Sequence, residues 1–192
     1  MFESQFGLQR SHGQAPHDRY SLFYRESLKV SEAWHEFVAE LQADDYRRFL
    51  SRMIGRRPKR LSFYWQYAPA GAGVSPHCDA KRKLGSHIFY LNTESDWDAS
   101  WGGETLILDD GGAFPRESAP TFEQFPRAFP TQSLGNRSLL FARRESSWHG
   151  VRPLRCPLGY LRKIFLVVID DAILGFARRA LAPLTGKRVI DY

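Results

Sequence analysis

The sequence predicts a mainly β domain with flanking helices, an α+β chain whose strands form a sandwich or barrel. Three observations predict it. The hydrophobic period changes from helical to two near residue 61. Short strand-like runs then alternate with Gly, Pro, Asn and Asp clusters. Aromatic residues make up 14% of the 192 residues, which favours strands around a lined pocket over a plain helical bundle.

Residues 1–29 are polar, with scattered His, Gly and Pro, and read as an irregular lead-in. Ser31 can cap a helix that carries Glu32 in its first turn and Trp34, Phe37, Val38 and Leu41 at helical spacing. A second helix restarts at Ala43-Asp44-Asp45 and is expected to place Tyr46, Phe49, Leu50 and Met53 on one face. Gly55 and the basic residues 56–60 close it. Strands are expected over 61–67, 86–92, 104–108, 138–142, 148–151 and 163–169. Residues 110–132, with Gly111, Gly112 and four prolines, read as one long functional loop. Ile173, Phe176, Ala177, Ala180, Leu181 and Leu184 fall on one face of a C-terminal helix. The expected division is a helical region over 1–60, a β core over 61–170 and that helix over 171–192, all in one domain.

Composition narrows the function. Hydrophobic residues reach 43%, enough for a packed core, which excludes a disordered tail. The net charge of +6 admits an acidic partner without requiring one. The longest apolar run, 164–169, ends at Asp170 and is far short of the ~20 residues of a membrane span. The N-terminus shows no basic segment followed by an apolar stretch, which argues against a secretory signal. Two cysteines, Cys78 and Cys156, make no disulfide framework and point to a reducing, cytoplasmic setting.

The chemistry begins at His77-Cys78-Asp79. In an extended segment, residues i and i+2 share a side, so His77 and Asp79 can converge on one ion while Cys78 points away. The triplet alone is weak, since chance supplies about a third of one such match in this composition. His149, in Ser146-Ser147-Trp148-His149-Gly150-Val151, offers a third ligand. Two His and one carboxylate form a facial triad that leaves three positions open on Fe(II).

Residues 61–169 resemble the Fe(II)- and 2-oxoglutarate-dependent dioxygenases, especially the prolyl 4-hydroxylase-like branch. The resemblance rests on four stretches in the family's order. These are Tyr67 through a Gly-containing loop to His77-x-Asp79, His87 to Asn92 followed by Asp96-Trp97, Trp101-Gly102-Gly103-Glu104, and Trp148-His149 to Pro153 followed by Arg162. It implies a double-stranded β-helix (jelly roll). It implies His77, Asp79 and His149 as iron ligands, and Arg162 on the distal carboxylate of 2-oxoglutarate, with Tyr67 and Tyr90 lining the co-substrate. A guanidinium suits that task because it grips a carboxylate through two parallel hydrogen bonds. The implied reaction consumes O2, converts 2-oxoglutarate to succinate and CO2, and hydroxylates a small-molecule or peptidyl substrate, with ascorbate as the candidate reductant.

Some features depart from the pattern. Arg162 lies thirteen positions after His149, a long gap, so Lys163 rivals it and Arg155 is a more distant rival. Ile164 stands where many relatives carry a hydroxyl residue. Simpler readings stand beside these: His149 as a packed ring next to Trp148, Arg162 as an edge-strand charge, Tyr67 and Tyr90 as core tyrosines, and Gly102-Gly103 as a tight turn only. Two other functions are compatible with the barrel. One is a non-enzymatic, cupin-like metal binder. The other is a nucleic-acid-directed oxygenase, against which the 7-residue spacing of Arg155 and Arg162 and the lack of a base-stacking motif both argue.

Overall fold

A computed structural model describes residues 9–12 and 18–171. Among the described residues, ten strands and two α-helices follow the chain order β1 (Gln9–His12), β2 (Asp18–Phe23), α1 (Glu32–Gln42), α2 (Asp44–Ile54), β3 (Arg60–Ala68), β4 (Val74–His77), β5 (Lys83–Tyr90), β6 (Leu106–Asp109), β7 (Arg127–Pro130), β8 (Ser138–Ala142), β9 (Trp148–Val151) and β10 (Arg162–Asp170). The strands form a six-stranded sheet, β1-β2-β3-β10-β5-β8, and a four-stranded sheet, β4-β9-β6-β7. Every pairing is antiparallel. The chain is thus mainly β with flanking helices, in the jelly-roll arrangement.

The six expected strands are all present, with ends shifted by a few residues. Three differences matter. Part of the expected irregular lead-in is strand: β1 and β2 extend the large sheet beyond β3. The expected 110–132 loop contains β7, which pairs with β6 along the edge of the small sheet. The expected face of α2 is not a buried stripe, because only Leu50 is buried while Phe49 and Met53 are exposed. The expected C-terminal helix lies outside the described residues.

Alternation along β10 sorts the two faces of the large sheet. Directly paired residues share a face, so Phe165 stands with Trp65 and Phe89, and Val167 with Phe63. This face carries the main core, covered by Val38 and Leu41 of α1 and Leu50 of α2. Gly55 ends α2 in the left-handed region, with φ +80°, a conformation that costs glycine little. Arg162, Ile164 and Val168 occupy the opposite face, toward the small sheet, together with Tyr90 and Ser86 of β5.

Phe165 is the centre of the helix-side core. It is fully buried, and its ring lies 5.0–6.5 Å from those of Trp34, Phe37, Phe63, Trp65 and Phe89. Phe165→Ala is expected to lower stability by about 3–5 kcal/mol, through lost burial and the cavity it leaves. Urea unfolding checks this as a lower midpoint at unchanged slope. A loss under about 1 kcal/mol would mean that the site collapses around the smaller side chain.

Candidate functional site

His77 and His149 come together because β4 and β9 are neighbours. The register pairs Val74 with Val151 and His77 with His149. Three steps along β4 therefore match two along β9, and the irregularity brings Val74 and His77, which plain alternation would separate, opposite residues of one face. The two imidazoles lie 4.3 Å apart between centroids. Asp79 follows two residues beyond β4. One donor atom from each of His77, Asp79 and His149 falls within 4.8 Å of the others, the arrangement of a metal-ligand cluster.

The protonation pattern suits a cation. His77 Nδ1 donates to the Ser75 carbonyl at 2.9 Å, and His149 Nδ1 donates to the Ser147 carbonyl at 3.0 Å. Both rings therefore carry their proton on Nδ1 and keep the Nε2 lone pair for a ligand. Burial and the neighbouring His149 push His77 down to about 3, and burial also lowers His149. Burial pushes the Asp79 carboxyl up, but Lys83, His149 and the Lys83 hydrogen bond outweigh it, so the group stays below the usual carboxylate range. Two neutral imidazoles and one carboxylate result, a donor set that matches Fe(II) in a facial triad.

Asp79 is almost fully buried, and its partners were not legible in the sequence. Lys83 Nζ donates to its Oδ1 at 2.7 Å, and Ser86 Oγ to its Oδ2 at 3.3 Å. Its backbone carbonyl accepts from Arg116 Nη2 at 2.7 Å and from Arg143 Nε at 3.4 Å. Cys78 turns away as expected and packs beside Leu106, Leu108, Phe125 and Trp148. Burial raises its thiol to about 11, so it is protonated at neutral pH.

Arg162 and Tyr90 face the small sheet from the large one. Arg162 is buried, and its guanidinium lies 5.7 Å from the centroid of the Tyr90 ring. Its Nε donates to the Gly103 carbonyl. The Tyr90 hydroxyl bonds to Thr105 Oγ1 at 2.8 Å and to Thr131 Oγ1 at 2.9 Å, across to the ends of β6 and β7. Gly103 is more than a turn residue. Its φ is +100°, and an added Cβ would lie 3.2 Å from Arg162 Cδ. His87, on the helix side, bonds Tyr46 at 2.8 Å and is structural, as its sequence position suggested.

The rival cation is placed elsewhere. Lys163 is on the helix face of β10, where its Nζ pairs with Asp96. Tyr67 is directly paired with Lys163 and packs against the helix-side core. The structure therefore brings Arg162 and Tyr90 together but leaves Tyr67 on the other face. Strand alternation is what sets Tyr67 on the face opposite Arg162.

Residues 62–168 match the family model described as "2OG-Fe(II) oxygenase superfamily". No curated protein matches the sequence. Among solved structures, the chain is similar to a Pseudomonas putida prolyl-4-hydroxylase, with TM-score 0.63 and 16% identity over 89% of this chain and 81% of that one. It is similar to a Trichoplax adhaerens prolyl hydroxylase in complex with a hypoxia inducible factor oxygen degradation domain peptide fragment, with TM-score 0.61 and 17% identity over 94% and 76%. It is also similar to HygX from Streptomyces hygroscopicus with nickel and 2-oxoglutarate bound, with TM-score 0.55 and 12% identity over 88% and 77%.

Proposed function

Because the chain belongs to the 2OG-Fe(II) oxygenase superfamily, we propose that His77, Asp79 and His149 are its iron ligands and Arg162 its 2-oxoglutarate clamp. The protein is an oxidoreductase, an Fe(II)- and 2-oxoglutarate-dependent dioxygenase. The observation that carries the residue assignment is the pairing of two features: a His, Asp, His cluster on and just beyond the small sheet, and a buried arginine on the face of the large sheet turned toward the small one.

Bound iron supplies oxygen activation coupled to the decarboxylation of 2-oxoglutarate to succinate and CO2. The chain's own residues set the geometry. The Ser75 and Ser147 carbonyls fix the orientation of the two imidazoles. Lys83 and Ser86 hold the Asp79 carboxylate in place and keep it ionised. Arg162 presents charged N–H donors from a buried position, where a charge-assisted hydrogen bond to a carboxylate is strongest. The Tyr90 ring packs beneath that guanidinium, and its threonine partners hold the hydroxyl end in place. Ser86 and Tyr90 are four residues apart on one face of β5, about 13 Å. A five-carbon dicarboxylate with side chains reaching to each of its ends fits that span.

Hydroxylation is the proposed outcome, on a small-molecule or peptidyl substrate. The peptide held by the Trichoplax protein supports a peptidyl one. The free thiols of Cys78 and Cys156 support a reducing, cytoplasmic location. Among the described residues no helix is long and apolar enough to cross a membrane.

The test is anaerobic binding of Fe(II) and 2-oxoglutarate, followed by O2-dependent succinate release with ascorbate present to keep the metal ferrous. Metal binding without 2-oxoglutarate affinity would instead make the protein a cupin-like metal barrel. Gly103→Ala adds a local check. The methyl group would crowd Arg162 Cδ on a strained backbone, so 2-oxoglutarate affinity is expected to fall about tenfold while Mn(II) affinity is retained. Equal loss of both would indicate a general disturbance of the fold.

A further inference from the structure

A cleft of about 180 Å³ opens between the end of α2, the start of β5 and the end of β8. Arg56, Lys81, Lys83, Arg143 and Arg144 line it, and no carboxylate is among the lining residues. That is well above the ~10–15 Å³ that accommodates a single water molecule, and leaves room for a tetrahedral oxyanion.

Two of its cations also touch Asp79, Lys83 through the carboxylate and Arg143 through the carbonyl. Arg143 Nη2 is buried without a hydrogen-bond partner. Glu145 pairs with Arg143, Asp171 with Arg56 and Asp79 with Lys83, and all three carboxylates lie outside the lining. Among the described residues Lys81 and Arg144 form no side-chain ion pair. The cleft thus gathers more positive charge than its neighbours neutralise.

We infer that this cleft binds a phosphate-like oxyanion and that its occupancy is coupled to the metal site through Lys83. The coupling rests on the reading of Asp79 as an iron ligand. Lys83 and Arg143 are positive charges beside a carboxylate that receives a divalent cation. An anion in the cleft offsets that repulsion and gives Lys83 a second acceptor, which loosens its hold on Asp79 Oδ1. Anion and metal therefore favour one another, and by linkage each raises the other's affinity by the same factor.

The experiment titrates the whole protein with Mn(II), following free Mn(II) by electron paramagnetic resonance. Sulfate is compared with chloride at equal ionic strength. Sulfate is expected to tighten Mn(II) binding about tenfold, a typical size for coupling between two sites. In Lys81→Gln/Arg144→Gln, which alters two exposed residues, the sulfate effect is expected to vanish. Mn(II) affinity that ignores sulfate in the wild-type protein would overturn the coupling. A sulfate effect that persists in the double variant would show that sulfate acts elsewhere, and would overturn the site.

If the wild-type protein bound no Mn(II), the ligand assignment would fail, and the cleft would be judged on the melting temperature alone. Sulfate should raise it in the wild-type protein and not in the variant; no rise overturns the site. A parallel arm compares inorganic phosphate with phenyl phosphate by the same melting shift. A larger shift with the ester supports a group carried on a bigger molecule, and a larger shift with phosphate supports a free ion. No shift with either overturns the site.

Discussion

Asp79→Ala is expected to reduce iron-dependent 2-oxoglutarate turnover to background and to weaken Mn(II) binding by about a hundredfold or more. Asp79 supplies the only carboxylate of the three-residue donor cluster. Loss of partners that merely orient metal ligands already costs ~10–100-fold in affinity or activity, so loss of a ligand should exceed that. The same substitution has a second consequence. Lys83 is 7% exposed and would lose its carboxylate. Removing one partner of a buried ion pair costs roughly 3–5 kcal/mol, because a charge is left buried and alone.

Stability and chemistry can be separated. Asp79→Ala/Lys83→Met removes both charges and should recover most of the lost stability while metal binding stays absent. His77→Ala should also abolish turnover without stranding Lys83. Near-normal turnover in both Asp79→Ala and His77→Ala would sink the ligand assignment. The sign of the acid dependence follows from the depressed Asp79 carboxyl. Its contribution to stability is present above the ordinary carboxylate pKa of about 4, and is lost as pH falls through the lower folded value. The double variant should lack that part of the acid sensitivity.

Much of this architecture is written in local pattern. Short apolar and aromatic runs between turn residues announced β3, β5, β6, β8, β9 and β10, because those strands carry apolar side chains into a core. The missed strands lack that signal. All four residues of β7 are exposed, since it is an edge strand. The four residues of β4 include Pro76 and carry an irregular register.

Long-range features were harder to read. His77 and Asp79 were legible because i and i+2 converge locally. His149 could be offered as a third ligand by residue type, but nothing local announces that β9 lies beside β4. Lys83 had no signal at all: it reaches Asp79 from the start of β5, where the ladder with β10 shifts between Ile169 and Asp170. Tyr67 shows the limit most clearly. Both faces of β3 are at least partly covered, so composition could not say which side Tyr67 takes. Only the pairing of Tyr67 with Lys163 decides it.

That same pairing sets up the second large effect. Arg162→Gln is expected to raise the 2-oxoglutarate requirement about 10–100-fold, while Lys163→Gln leaves it within about twofold. A hydrogen bond to a charged group contributes ~1.5–3 kcal/mol, which is the stated range in affinity. The two residues are neighbours in sequence but stand on opposite faces of β10. Arg162 is buried over Tyr90, and Lys163 is half exposed and paired with Asp96. Losing Lys163 should therefore cost no more than an exposed ion pair, ~0–1 kcal/mol of stability. Arg162→Lys tests the geometry as well as the charge: a lysine keeps the cation but loses the forked donors, so it should recover only part of the affinity. The measurement is the 2-oxoglutarate dependence of succinate release, with Mn(II) affinity as the control for an intact ligand cluster. A rise in the requirement with Lys163→Gln and none with Arg162→Gln would mean that strand alternation had been assigned to the wrong face, and with it the position of the whole co-substrate pocket.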